Sequence, residues 1–208
     1  MFLRVFVLSL LGISASVFAG EWQVKVGASV LAPLSDHNTM ADGAVTEAKA
    51  DHAFSFTPSI EYFFANRNIS SELLLATPFK HNVLARVAGG APETIASFKQ
   101  LPPTLTVKYH FKNSTGFTPY VGVGATALLA WDEQTKGSLA GTSLKAEHAY
   151  GFTGQVGFNF QPADAKHWGV FADVRYADIG SDLKWNGEKI GILEVNPWVY
   201  SVGYSYKF

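Results

Sequence analysis

Asn196-Pro197-Trp198-Val199-Tyr200-Ser201-Val202-Gly203-Tyr204-Ser205-Tyr206-Lys207-Phe208 closes the chain, and its reading decides the fold. Trp198, Tyr200, Val202, Tyr204, Tyr206 and Phe208 fall on every second position, with Val199, Ser201, Gly203, Ser205 and Lys207 between them. A period of two is that of a β-strand, here with one aromatic face and one mostly small or polar face. Such a strand at the edge of a sheet would invite pairing with other chains. A soluble sandwich could cover it, or a closed membrane barrel could turn the aromatic face to lipid. The other segments have to choose between them.

The same period recurs upstream. Residues 22–31 set Trp22, Val24, Val26, Ala28 and Val30 against Gln23, Lys25, Gly27 and Ser29, and residues 53–65 set Phe54, Phe56, Ile60, Tyr62 and Phe64 against Ser55, Thr57, Ser59 and Glu61. Residues 100–111 oppose Leu105, Val107, Tyr109 and Phe111 to Thr104, Thr106, Lys108 and His110. Residues 118–131, 146–160 and 168–176 alternate in the same way, the last opposing Trp168, Val170, Ala172, Val174 and Tyr176 to Phe171, Asp173 and Arg175. Residues 69–79 are the least regular, because Leu73, Leu74 and Leu75 are consecutive. We place Ile69, Ser71, Leu73, Leu75, Thr77 and Phe79 outward and Glu72 inward.

With the closing segment this makes eight strands. Four long polar connections (residues 32–51, 80–99, 132–145 and 180–194) alternate with short turns, which is the layout of an up-and-down barrel with long extracellular loops and periplasmic termini. A lipocalin-like soluble barrel would instead turn its large apolar residues inward. The expected fold is therefore all-β, an eight-stranded antiparallel up-and-down transmembrane β-barrel of the bacterial outer membrane, spanning residues 20–208.

Composition agrees. Residues 1–19 have the layout of a secretory signal peptide: Arg4, an apolar run, then Val17-Phe18-Ala19, with cleavage expected after Ala19. Removing Arg4 takes the formal net charge from −1 to −2, which offers no broad footprint for nucleic acid. Cysteine is absent, so disulfides and thiolate chemistry are excluded. Beyond Gly20 no apolar run is long enough for a helical span. Outer-membrane lipid is the expected surroundings, and the strand ending at Phe208 is the expected handle for the outer-membrane assembly machinery.

Lys25, Glu61, Glu72, Lys108, Glu147, Asp173, Arg175 and Lys207 carry both signs of charge on inward positions. An eight-stranded barrel is just wide enough for side chains to fill, and buried charges need partners. The first seven are expected to form a polar plug that blocks an axial water channel. The competing reading is a proton or ion pathway through the same residues. The six histidines (His37, His52, His81, His110, His148 and His167) show no paired metal-ligand spacing. No histidine is followed by serine two residues later, and no Gly-x-Ser-x-Gly elbow exists. No enzymatic activity, metal or cofactor is expected.

Glu72-Leu73-Leu74-Leu75-Ala76-Thr77-Pro78-Phe79-Lys80-His81, Leu101-Pro102-Pro103-Thr104, Pro119-Tyr120-Val121-Gly122-Val123-Gly124 and Asn196-Pro197-Trp198-Val199, with the final Gly203 to Phe208, together resemble the outer membrane protein W family, which includes the AlkL-type proteins. The resemblance runs through the mature chain in order and spacing; the loops depart from it. It implies a barrel that admits small hydrophobic molecules at an apolar extracellular mouth and releases them sideways into the membrane. Pro78, Pro102 and Pro103 offer a physical basis for that route, since proline donates no ladder hydrogen bond; the plainer reading is that they merely end strands. Leu31, Leu34, Val83, Leu84, Phe98, Leu128, Leu139 and Leu144 are available to line an outer pocket, or to pack loops together. The expected function is passive uptake of small hydrophobic solutes, the alternative being a surface adhesion barrel whose loops bind a partner.

Overall fold

The computed structural model describes residues 20–34, 38–40, 43–50 and 52–208. The expected signal segment, residues 1–19, lies outside the described residues, as does His37.

Among the described residues sixteen strands follow in chain order: β1 (Glu21–Ala32), β2 (Asn38–Met40), β3 (Val45–Ala50), β4 (Ala53–Phe56), β5 (Ser59–Phe63), β6 (Ile69–Leu74), β7 (Phe79–Val87), β8 (Glu93–Leu101), β9 (Thr104–His110), β10 (Phe117–Thr135), β11 (Leu144–Ala146), β12 (Ala149–Phe160), β13 (Trp168–Asp178), β14 (Gly180–Trp185), β15 (Glu188–Glu194) and β16 (Trp198–Lys207). Eight staves close a barrel, with β4 and β5 sharing one of them. Each stave pairs antiparallel with the next, and β16 returns to β1 in register from Gln23↔Lys207 to Ala32↔Trp198. Closure leaves the aromatic last strand no free edge.

Alternation fixes which face meets what. On β16, Tyr200, Val202, Tyr204 and Tyr206 are exposed while Ser201 and Ser205 are buried. On β9, Leu105, Val107 and Tyr109 are exposed while Thr106, Lys108 and His110 are buried. Large apolar rings face out and polar groups face in, the inverse of a soluble barrel. Near the barrel end that holds residues 21–22 and 207–208, outward rings meet in pairs such as Trp22–Tyr62 and Tyr109–Phe111, with centroids 4.9 and 5.0 Å apart. Such rings suit the membrane–water boundary.

Three expectations need correction. The long connections are not irregular loops: β2, β3, β7, β8 and the upper part of β10 form one sheet above the barrel, and β11, β14 and β15 form another. Their strands are short and bulged, so no long alternation marks them. The expected strand 69–79 ends at Leu74, and Phe79 opens β7 with its ring buried rather than outward, because the chain leaves the ladder before Pro78. Finally, residues 146–160 do not make one strand; the run breaks between β11 and β12, at Glu147 and His148. Pro58 interrupts β4 and β5, but Thr57 N–H still donates to Gly27 O at 2.8 Å and the alternation passes through unchanged.

Candidate functional site

Alternation on facing staves brings Lys25, Glu61, Glu72, Lys108, Asp173 and Arg175 together across the lumen, all buried. Lys25 Nζ lies 2.8 Å from Glu61 Oε2, and Lys108 Nζ lies 2.7 Å from Glu61 Oε1 and 3.1 Å from Glu72 Oε2. Arg175 reaches Glu72 Oε2 at 3.3 Å and Asp173 Oδ1 at 2.8 Å. Three cations thus face three carboxylates. Gln155 Nε2–H donates to both Glu72 and Asp173, at 3.4 and 3.2 Å, and Tyr120 O–H donates to Asp173 Oδ2 at 3.0 Å. Ser59 and Ser70 hydroxyls donate to Glu72 and Glu61 at 2.6 and 2.5 Å. Setting each charge against an opposite one offsets part of the cost of taking charges out of water.

Glu147 does not join the cluster. The break before β12 leaves it in the extracellular part, where it is exposed and pairs with Lys184. Tyr120, Gln155 and His110, whose Nε2 lies 3.1 Å from Glu61, belong to the cluster but were not among the expected members. Tyr120 and His110 share the inward parity of their strands, so parity was the available signal. Room for these side chains comes from glycine: a Cβ on Gly157 would lie 2.8 Å from Tyr120 Oη, and one on Gly122 2.8 Å from Lys108 Cγ.

Above the charges lies a belt of hydroxyls. Thr104, Thr126 and Thr153 form a chain with oxygens 2.8 and 2.5 Å apart, and Thr57, Ser29 and Ser201 form another at 2.7 Å each. Arg175 Nη1–H donates to Ser201 at 3.1 Å and ties the belt to the cluster. The belt floors a cavity of about 30 Å³, whose walls are apolar and include Leu31, Leu74, Phe79, Leu128, Ile179 and Val199. That is room for one or two waters.

Of the eight expected pocket residues, Leu31 and Leu128 line this chamber. Val83, Phe98, Leu139 and Leu144 pack instead in an apolar cluster between the two extracellular sheets, which Leu128 also joins. Leu34 is exposed, following the end of β1, and Leu84 is half-buried in β7. Phe79 and Ile179, which line the chamber, escaped the sequence reading. Phe79 did so because its phase changes at Pro78, and Ile179 because it lies at the join of β13 and β14.

Pro78, Pro102 and Pro103 flank one gap in the wall. The β6–β9 ladder ends at Leu74↔Thr104, and the β7–β8 ladder begins at Phe79↔Gln100. Between them the two chains turn away from each other. Leu75 N–H and Thr77 N–H donate to Pro58 O and Phe56 O, both at 2.8 Å, on one side. On the other, Leu101 pairs with Leu129 and Pro103 O accepts from Ala127 N–H at 3.0 Å. Among the described residues no backbone hydrogen bond joins residues 75–78 to 101–103, and Ala76 and Pro102 line the chamber at this point.

Comparison with known proteins places this geometry. The OmpW family profile matches residues 18–208. Outer membrane protein W of Vibrio cholerae is 34% identical, over 94% of this chain and 93% of the relative. Outer membrane protein AlkL of Ectopseudomonas oleovorans is 26% identical, over 94% of this chain and 85% of the relative. The crystal structure of the outer membrane protein OprG from Pseudomonas aeruginosa superposes with a TM-score of 0.81 at 29% identity, covering 92% of this chain and 97% of that one. These relatives are outer membrane barrel proteins, and a closed barrel with an apolar outer belt fits the same membrane. The chain belongs to the OmpW family of outer membrane proteins.

Proposed function

We propose that the protein carries small hydrophobic molecules across the outer leaflet, taking them in at the extracellular end and releasing them sideways through the gap between residues 75–78 and 101–103. One observation carries this reading: the gap without backbone pairing opens beside an apolar chamber whose hydroxyl floor rests on a cluster of buried ion pairs. A solute that reaches the chamber meets charges below and a weakly joined wall beside it. An apolar solute gains nothing by entering the cluster, because it would separate buried ion pairs. Passing sideways only exchanges one apolar contact for another. The chamber is small at rest, so loading requires the apolar cluster of the extracellular sheets to part first. No catalytic role or cofactor is proposed for any of these residues. In the same reading β16, with Phe208 directly after it, serves the outer-membrane assembly machinery, and residues 1–19 are the export signal.

Uptake of a labelled alkane into cells or liposomes, with and without the protein, separates this reading from that of a surface adhesion barrel. The sharper test replaces Pro78, Pro102 and Pro103 with threonine, valine and threonine, restoring three backbone donors. If each new bond contributes about 1 kcal/mol, uptake should fall by about tenfold or more. Unchanged uptake by a correctly folded triple variant would discard the lateral route.

A further inference from the structure

Below the charge cluster, at the periplasmic end, lies a second cavity of about 90 Å³, larger than the chamber above. Its lining includes Gln23, His110, Lys112, Thr118, Asn159 and Lys207. The two lysines converge on one ring, with Lys207 Nζ 5.1 Å and Lys112 Nζ 5.8 Å from the centroid of Phe63. Among the described residues neither ammonium has a carboxylate within ion-pairing distance. Glu21, the acidic residue at this rim, is engaged by Arg67 at 3.2 Å. The contrast with the cluster above is direct, since every lumen cation there has its carboxylate.

A second feature points the same way. Gln23 is 1% and Asn159 9% exposed, yet Gln23 Oε1 and Asn159 Oδ1 have no hydrogen-bond partner. Buried acceptors of this kind are normally satisfied. The cavity therefore offers two ammonium donors that form no ion pair and two amide acceptors without a donor. A dihydrogen phosphate supplies both needs at once: its anionic oxygens accept from the lysines, and its two P–OH groups donate one to each amide oxygen. A phosphate ester bearing a primary ammonium, as in an ethanolamine headgroup, supplies the same pair of needs.

We propose that the periplasmic mouth is a binding site for a phosphate-class oxyanion, held between Lys112 and Lys207 with Gln23 and Asn159 as acceptors. Its ligand is either free phosphate or the headgroup of an inner-leaflet phospholipid, which the shared chemistry admits equally. The site is independent of hydrophobic uptake and stands or falls separately.

The test uses the full folded barrel in a maltoside detergent and phosphate-free buffer, titrated with inorganic phosphate while the amide signals of Gly116 and Gly169, which line the cavity, are followed by NMR. Saturable shifts are expected. The Lys112→Gln, Lys207→Gln double variant, its fold checked by heat-modifiable gel mobility, should bind at least about tenfold more weakly, since both charge-assisted bonds are lost. Repeating the titration in phosphatidylethanolamine nanodiscs identifies the source. Loss of the response there means that headgroups already fill the site, whereas an unchanged curve means free phosphate is the ligand. Shifts in detergent that never saturate, or a double variant with the wild-type curve, would overturn the proposal.

Discussion

The lower and upper halves of the lumen solve opposite problems with the same eight staves. In the lower half, inward positions carry Lys25, Glu61, Glu72, Lys108, Asp173 and Arg175, and each charge touches an opposite one. In the upper half the inward positions are Leu31, Leu74, Leu128, Ala177 and Val199, and the wall loses its ladder at residues 75–78 and 101–103. Charges that can be satisfied in only one arrangement fix the barrel's shape. Apolar side chains tolerate several arrangements, and that half can open. Rigidity below and compliance above are thus written in the chemistry of one set of alternating positions.

The largest effect that would break this comparison is expected from Glu72→Gln. The glutamate contacts Lys25, Lys108 and Arg175, so neutralising it leaves three buried cations facing two carboxylates. Breaking one partner of a buried pair costs about 3–5 kcal/mol, measurable as a lowered urea midpoint for unfolding from lipid vesicles. A loss below about 1 kcal/mol would mean that the cluster is not what holds the lower half.

Ile179→Ala probes the upper half and should behave differently. Ile179 lines the chamber and belongs to the extracellular apolar cluster, and its removal enlarges the cavity. A cost of about 2–4 kcal/mol is expected from the lost burial, but uptake of an apolar solute should rise, where Glu72→Gln has no reason to raise it. Stability loss without faster uptake would show that the chamber lies off the solute's path.

The sequence made the staves legible for a physical reason. Lipid on one side and charges on the other leave no freedom in the phase of β1, β9, β13 or β16, so Tyr204 and Lys108 could be assigned to a face without coordinates. Where neither surroundings nor partner constrains the phase, the reading failed. Phe79 changes face after Pro78, and residues 80–99 and 180–194 read as long connections, with room only for short structure in the first and a continuation towards Leu183 in the second, because bulges break the alternation of β7, β8, β14 and β15. The charge cluster was legible by parity and the three prolines by their missing donors. The exit of residues 75–78 toward Pro58 and Phe56 was not, because it depends on hydrogen bonds to a strand distant in sequence. Nor did any local signal mark the two unpaired lysines, since Glu21 is lost to Arg67 only once the turns come together.

Glu147 sharpens the comparison from the weak side, because it is the same residue type as Glu72 with the same kind of partner. It pairs with Lys184 at the extracellular rim, where the side chains are 45% and 38% exposed. Water already solvates both groups, and salt screens what attraction remains. Glu147→Gln should therefore change stability by less than about 1 kcal/mol, and the difference should shrink further in high salt. The same unfolding assay used for Glu72→Gln makes the ratio of the two effects the measurement. Two glutamate-to-glutamine substitutions of equal size would mean that burial in the lumen gives Glu72 no special hold, and the division into a fixed lower half and a yielding upper half would have to be abandoned.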